Sequence, residues 1–184
     1  MNKTNKDLLN TKSYFYDLPE ELIAQYPAEP RDSSRLLVYH KDDGNIEHKI
    51  FKDIIDYLHA GDILVVNNTR VLPARLFGKK DTGAKIEILL LKRLDLNTWE
   101  TLAKPGKRLK NGSIITFSDK LSGEIIEDTD FGGKIIRFKF DGVFEDIINN
   151  LGVMPLPPYI HNQYKDKERY QTVYNKITGS SAAP

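Results

Sequence analysis

Apolar positions follow two different periods along this chain, and the change of period divides it. Near the start, Asp17-Leu18-Pro19-Glu20 supplies a capping carboxylate, a second carboxylate three residues on and a proline for the first turn. That pattern predicts a short helix over 18–25, ended by Pro27 and Pro30. Residues 35–40 and 46–51 read as two strands of a hairpin, joined by a turn over 41–45 that carries an Asp-Gly step. Phe51, Ile54, Ile55 and Leu58 then recur at helical spacing, one face of a helix closed by Gly61. The unbroken apolar run 63–66 predicts a buried strand leading into Asn67-Asn68-Thr69-Arg70.

From Val71 to Phe140 the period falls to two. Ile86, Ile88 and Leu90 alternate with Lys85, Glu87 and Leu89, as in a strand with one face more buried than the other. Gly, Asn and Asp turns separate strands expected near 73–79, 84–92, 98–104, 113–118, 121–128 and 133–140. Six short strands with no helix among them predict a small closed barrel. After Asp141 the helical stripe returns as Val143, Phe144, Ile147, Ile148 and Leu151, and Gly152 closes it. The expected architecture is a mixed α/β body (α+β) of residues 1–70 and 142–184, interrupted by a six-stranded all-β barrel of residues 71–141. Residues 1–13 are polar and expected to fray. The body has few elements with which to close a core, and Gly-Ser-Ser-Ala-Ala-Pro reads as an interior loop, so further chain is expected to follow.

Composition narrows the chemistry. The 184 residues carry a formal net charge of +1, so attraction to an anion must come from a local patch. There is no cysteine, which removes disulfide scaffolds, thiolate metal sites and a thiol nucleophile. No apolar run approaches the ~18–20 residues of a membrane span, and the start lacks a signal-peptide core, so a cytoplasmic protein is expected. The four histidines, His40, His48, His59 and His161, lack metal-ligand spacing. Phosphate-loop, dinucleotide-binding and serine-hydrolase motifs are absent as well.

What stands out instead are dense polar clusters between apolar segments. Arg31-Asp32-Ser33-Ser34-Arg35 joins two guanidinium groups to a carboxylate and two hydroxyls, a set able to bind a carboxylate or phosphate bidentately, or a plain junction with an Arg–Asp pair. Asn67, Thr69, Arg70 and Arg75 sit at and after a strand end, where α/β folds place ligand groups, although an Asx-rich turn explains the asparagines equally well. Pro155-Leu156-Pro157-Pro158 holds the chain extended before Tyr159, a ring able to stack on a base; a rigid linker is the alternative. Arg169, Tyr170, Gln171 and Tyr174 form an aromatic-edged segment that suits solvent or nucleic acid. Lys104, Lys107, Arg108 and Lys110 crowd one barrel loop, either as phosphate contacts or as a solvated face.

Together and in order, DLPEELIAQYP, RDSSRLLV, GDILVVNNTRVLPARLFG, TGAKIEILLL, MPLPPYI, DKERYQTVY and GSSAAP resemble the successive motifs of the S-adenosylmethionine:tRNA ribosyltransferase-isomerases of queuosine biosynthesis. The resemblance runs from about Tyr14 to Pro184. It departs at Asn68, where many members carry aspartate, and the family continues beyond Ala-Ala-Pro into a Thr-Ala-Gly-Leu-His-Phe motif and a long further portion.

The resemblance implies a mixed α/β fold with an inserted barrel. It also implies transfer and isomerisation of the ribosyl moiety of S-adenosylmethionine onto 7-aminomethyl-7-deazaguanine (preQ1) at the tRNA wobble position. The products are epoxyqueuosine, adenine and methionine. S-adenosylmethionine is then a co-substrate, no prosthetic group or metal is required, and a cytoplasmic monomer acting on the tRNA anticodon loop is expected. On this reading Asp32, Arg31 and Arg35 are the catalytic candidates, with Asp32 as base and the histidine of the downstream motif as its competitor. Asn67, Thr69, Arg70 and Arg75 are expected around S-adenosylmethionine. Tyr159, Arg169, Tyr170, Gln171 and Tyr174 would lie near the modified base, and Lys107 and Arg108 on RNA phosphates. The competing reading is a non-catalytic tRNA-binding fragment of the same enzyme.

Overall fold

The period-two segment folds as its spacing predicts. In the computed structural model, which describes residues 7–161 and 166–180 (Asp7 and Arg108 by their backbone only), six strands close into an antiparallel barrel. The hairpin strands β1 (Arg35–Tyr39) and β2 (Ile46–Ile50) and the short β3 (Thr69–Val71) precede it. The barrel itself is β4 (Arg75–Lys80), β5 (Lys85–Arg93), β6 (Thr98–Lys104), β7 (Ile114–Ser118), β8 (Leu121–Asp128) and β9 (Lys134–Phe140), in the order β4-β5-β6-β9-β8-β7. Inward positions carry Leu76, Ile86, Ile88, Leu90, Ile115, Leu121, Ile125, Ile136 and Phe138, all buried. Register shifts at Leu90/Lys92, Thr116/Ser118 and Ile125/Glu127 bend the sheet toward closure.

The one α-helix among the described residues, α1 (Phe144–Leu151), packs against the barrel core. Phe144 and Ile148 enter the barrel core, where the Phe144 ring lies 5.8 Å from Trp99, 5.3 Å from Phe138 and 5.2 Å from Phe140. Val143 and Leu151, at the flanks of the expected stripe, are exposed. Gly152 follows the helix in extended backbone, and no side chain fits there because a Cβ would meet Pro73 O at 1.9 Å. The chain then bridges Val153 to Arg75 on β4 and reaches β10 (Ile177–Gly179), which pairs in parallel with β3.

By contacts the chain forms two compact units, Met1–Asp62 with Pro158–Asn162 and Ile63–Pro157 with Gln163–Pro184. In the first, the hairpin β1–β2 forms with Arg35 opposite Ile50 and Tyr39 opposite Ile46, as expected. The two helices expected there do not. Residues 18–25 contain only a 3-10 turn at Glu20–Leu22, behind Pro19 with no side-chain cap. Phe51–Tyr57 is 3-10 throughout, with the Ile50 N–H donating to Asp53 Oδ2 at 3.1 Å. Leu18, Leu22, Phe51, Ile55 and Leu58 are exposed, and a short helix without a buried face lacks the packing that holds helices of this length.

The run 63–66, expected as a buried strand, is neither. It forms no ladder, and Ile63 and Val65 are 90% and 89% exposed. A strand needs a neighbour for its backbone groups, and no described strand pairs with this segment. Residues 1–6 and 181–184, on which the fraying and loop expectations fall in part, lie outside the described residues.

Candidate functional site

The polar clusters on either side of the barrel in sequence meet at the β3–β10 pair. Asn67 folds back first: its Oδ1 accepts from the Thr69 N–H at 2.8 Å, an Asx turn that sets the start of β3. The next residue's backbone is held from the far segment. Asn68 O accepts the Lys176 and Ile177 N–H groups at 2.7 and 3.0 Å, and Asn67 O accepts the Thr172 hydroxyl at 2.9 Å.

Arg70 anchors this seam. Its guanidinium forms a two-pronged pair with the Glu168 carboxylate, Nη1 donating at 3.0 Å and Nη2 more closely, and Nη1 also donates to Asn175 Oδ1 at 2.6 Å. The hydrogen bond from Arg70 holds the Glu168 carboxyl below its ordinary range, against a smaller opposing effect of burial. The same contact with Glu168 raises the Arg70 guanidinium, which stays charged at any ordinary pH.

Gln171 makes the other tie. Only 4% exposed, it accepts the Val71 N–H at 2.8 Å and donates to the Val71 carbonyl at 2.9 Å, replacing a strand neighbour on that side of β3. Its amide therefore serves the backbone. Arg75, half-buried on β4, pairs through Nε with Glu87 at 3.0 Å. Arg169 and Tyr170 close the 3-10 turn Lys167–Tyr170, both half-buried, and Tyr174 is exposed beyond it.

In the first unit, Arg31 and Asp32 lie exposed on the 3-10 turn Arg31–Ser33, and Arg35 is exposed at the start of β1. Ser33 is occupied locally, its hydroxyl donating to Pro30 O at 2.6 Å. Tyr159, half exposed, belongs to the same unit. Gln25 holds its segment, with Nε2 donating to Tyr159 O at 3.0 Å and Oε1 accepting the His161 N–H at 2.9 Å.

On the barrel, Lys107 is exposed on the Gly106–Arg108 turn; the side chain of Arg108 lies outside the described residues. Lys134 pins the loop from below. It is 7% exposed, donates to Leu109 O at 2.9 Å and pairs with Asp128. Among the described residues no three His, Asp or Glu side chains gather as a metal set, and no helix is long and apolar enough to cross a membrane.

The structure thus joins Asn67, Thr69 and Arg70 to the segment carrying Gln171, contacts that span about a hundred residues. Glu168, Asn175, Thr172 and Gln25 were not singled out from sequence. Glu168 lies inside the DKERYQTVY motif, yet nothing local marks it as the partner of an arginine 98 residues away.

A closed six-stranded antiparallel barrel with a docked helix, flanked in sequence by the two strands of a parallel pair whose polar end is clasped by Arg70 and Gln171, defines a mixed α/β protein that contains a β-barrel. The model of the queuosine biosynthesis protein family matches residues 11–184, and the chain belongs to that family. It is 58% identical over 178 residues to the S-adenosylmethionine:tRNA ribosyltransferase-isomerase of Clostridioides difficile, a match covering 96% of this chain and 52% of the relative. The enzyme of the same name from Symbiobacterium thermophilum is 54% identical over the same shares. A crystal structure of S-adenosylmethionine tRNA ribosyltransferase from Thermotoga maritima is 42% identical, with 74% of this chain and 47% of that one covered at a TM-score of 0.39. The chain spans about half the length of the curated relatives it matches.

Proposed function

We propose that the chain provides the barrel-containing portion of an S-adenosylmethionine:tRNA ribosyltransferase-isomerase. In that reaction the ribosyl moiety of S-adenosylmethionine moves to preQ1 at the tRNA wobble position and is isomerised to give epoxyqueuosine, with adenine and methionine released. The observation that carries the reading is 58% identity across 96% of the chain to a relative of that name. S-adenosylmethionine is the co-substrate, tRNA the macromolecular partner, and the proposed setting is a cytoplasmic monomer.

The chemistry assigns the groups. The sulfonium acidifies the ribose 5′ carbon, so a base must take that proton, and Asp32 is the carboxylate proposed for it, with Arg31 and Arg35 beside it in sequence. Asn67 and Thr69 offer amide and hydroxyl groups for the ribosyl and adenine edges, and Arg75 a cation for the methionyl carboxylate. Arg70 and Gln171 act as positioning residues that hold this strand end. Tyr159, Tyr170, Tyr174 and Arg169 present rings and a guanidinium plane suited to an unstacked base, and Lys107 and Arg108 suit RNA phosphates. The proposed division of the intact enzyme is residues 1–70 with 142–184 around an insert of 71–141, supported by the unbroken succession β4 to β9 inside that insert.

A second reading is favoured by the 52% share of the relatives' length: the chain binds tRNA without completing the reaction. Incubation with labelled S-adenosylmethionine and preQ1-containing tRNA separates the two. Release of adenine supports the enzyme; a gel shift without adenine supports the binding fragment. Asp32→Asn at the matching position of a full-length relative tests the base. Loss of turnover by about 100-fold or more is expected, and near-normal turnover removes Asp32 from that role.

A further inference from the structure

The turn at one end of the barrel gathers cations that form no ion pair among the described residues. The β4–β5 hairpin reverses through Asp81-Thr82-Gly83, with Gly83 at φ +80 and its N–H donating to Lys80 O at 2.9 Å. This register sets Lys79 of β4 directly opposite Lys85 of β5, and Lys80 follows in the same strand. Like charges directly across a strand pair oppose folding. Of the nearest acids in sequence, Glu87 lies opposite Phe77 and pairs with Arg75 at 3.0 Å, while Asp81 lines the groove and accepts the Thr82 N–H at 2.8 Å. Among the described residues, no carboxylate forms an ion pair with Lys79, Lys80 or Lys85.

The three lysines line an open groove of about 630 Å³ together with Phe77, Thr116 and Phe117. Phe77 points outward and is 55% exposed, two residues from Lys79 on the same strand face. Gly78 lets β4 close on β7: a side chain there would meet Ile115 at 2.7 Å and Phe117 at 2.8 Å. A second hollow of about 460 Å³, lined by Asn111, Gly112 and Ser113, shares Lys80, Asp81 and Thr116 with the first, so the groove continues across β7.

From this juxtaposition of uncompensated lysines and an exposed ring along one groove, we propose that the β4–β5–β7 face is an RNA subsite. Lys79, Lys80 and Lys85 meet phosphodiesters there, and Phe77 offers a stacking face to a base. The inference rests on the tRNA-acting reading and adds to it a surface separate from the Lys107 loop. An extended groove with spaced cations and a ring suits a strand whose charges repeat and whose bases stack. A free phosphate would find no enclosing donors there, and an acidic peptide would make no use of Phe77.

Three variants of the 184-residue chain test it by tRNA binding across a salt series, without S-adenosylmethionine: Lys79→Gln with Lys85→Gln, Phe77→Ala, and Lys92→Gln with Lys41→Gln. The third removes two exposed lysines elsewhere and matches the change in net charge. The first is expected to lower the slope of log affinity against log salt by roughly 1.4–1.8, at about 0.7–0.9 per lost phosphate contact, and the third to leave it unchanged. Phe77→Ala should loosen binding about 5- to 150-fold at an unchanged slope. Equal effects of the two lysine pairs, competition by polyglutamate as strong as by RNA, or no tRNA binding by the parent chain would overturn the proposal. Adenine release by a full-length relative is read separately. Its persistence after any of those outcomes leaves the enzymatic reading standing without this subsite.

Discussion

Gln171 illustrates how a side chain in a suggestive motif is spent on the backbone. With both polar ends on Val71, it is a structural tie, and its replacement leaves a buried N–H and carbonyl without partners. Gln171→Ala is therefore expected to destabilise the fold by about 1–3 kcal/mol, measured by denaturant unfolding. Arg70 and Glu168 respond to acid instead. The Glu168 carboxyl titrates below its unfolded value because Arg70 donates to its ionised form, so the tie is fully present above the ordinary carboxylate range and is lost as pH falls through the lowered value. Protection factors at Thr69 and Arg70, taken relative to the slower intrinsic amide exchange at low pH, should fall in the parent chain as pH is lowered from about 6 through that range. Glu168→Gln should flatten that dependence and start from weaker protection.

Elements divide by whether their apolar face finds a partner. The barrel strands do, and so does α1 through Phe144 and Ile148, whereas the apolar residues at 51–58 and 63–66 mostly stay in solvent. Stability should follow that division. Ile88→Ala, inside the barrel, is expected to cost about 2–5 kcal/mol and Phe144→Ala about 3–5 kcal/mol, while Val65→Ala stays within about 0.5 kcal/mol of the parent. Thermal and denaturant melts of the three variants check the order; a large loss at Val65 would mean that 63–66 is covered in solution. Sequence periodicity read these elements unequally. Period two over 71–140 was sufficient because each barrel strand is half-buried by neighbours on both sides. Helical spacing at 51–58 misled, since spacing records which residues share a face and not whether anything lies against it, and the capping pattern before 18–25 marks a helix start without supplying a buried face.

At the scale of the molecule, the chain forms two compact units and spans about half the length of the relatives it matches. Release of adenine by this chain or tRNA binding without it, and then the salt slope at the lysine groove where tRNA binds, are readouts of the whole. The groove is the clearest case of a surface assembled from local parts. Lys79, Lys80 and Lys85 lie within seven residues, yet only the hairpin register shows that two of them face each other and only barrel closure adds β7 as a wall.

The sequence by itself determined the barrel, the hairpin β1–β2, the helix over 144–151 and membership of the family, because alternation, turn residues and ordered motifs are all written in near neighbours. Tertiary structure alone decided that α1 docks on the barrel, that 63–66 stands exposed, and that Arg70 and Gln171 clasp residues 98 and 100 positions apart from them. A contact between distant residues depends on which surfaces the closed barrel and the β3–β10 pair bring together. No local pattern of polar and apolar positions carries that information.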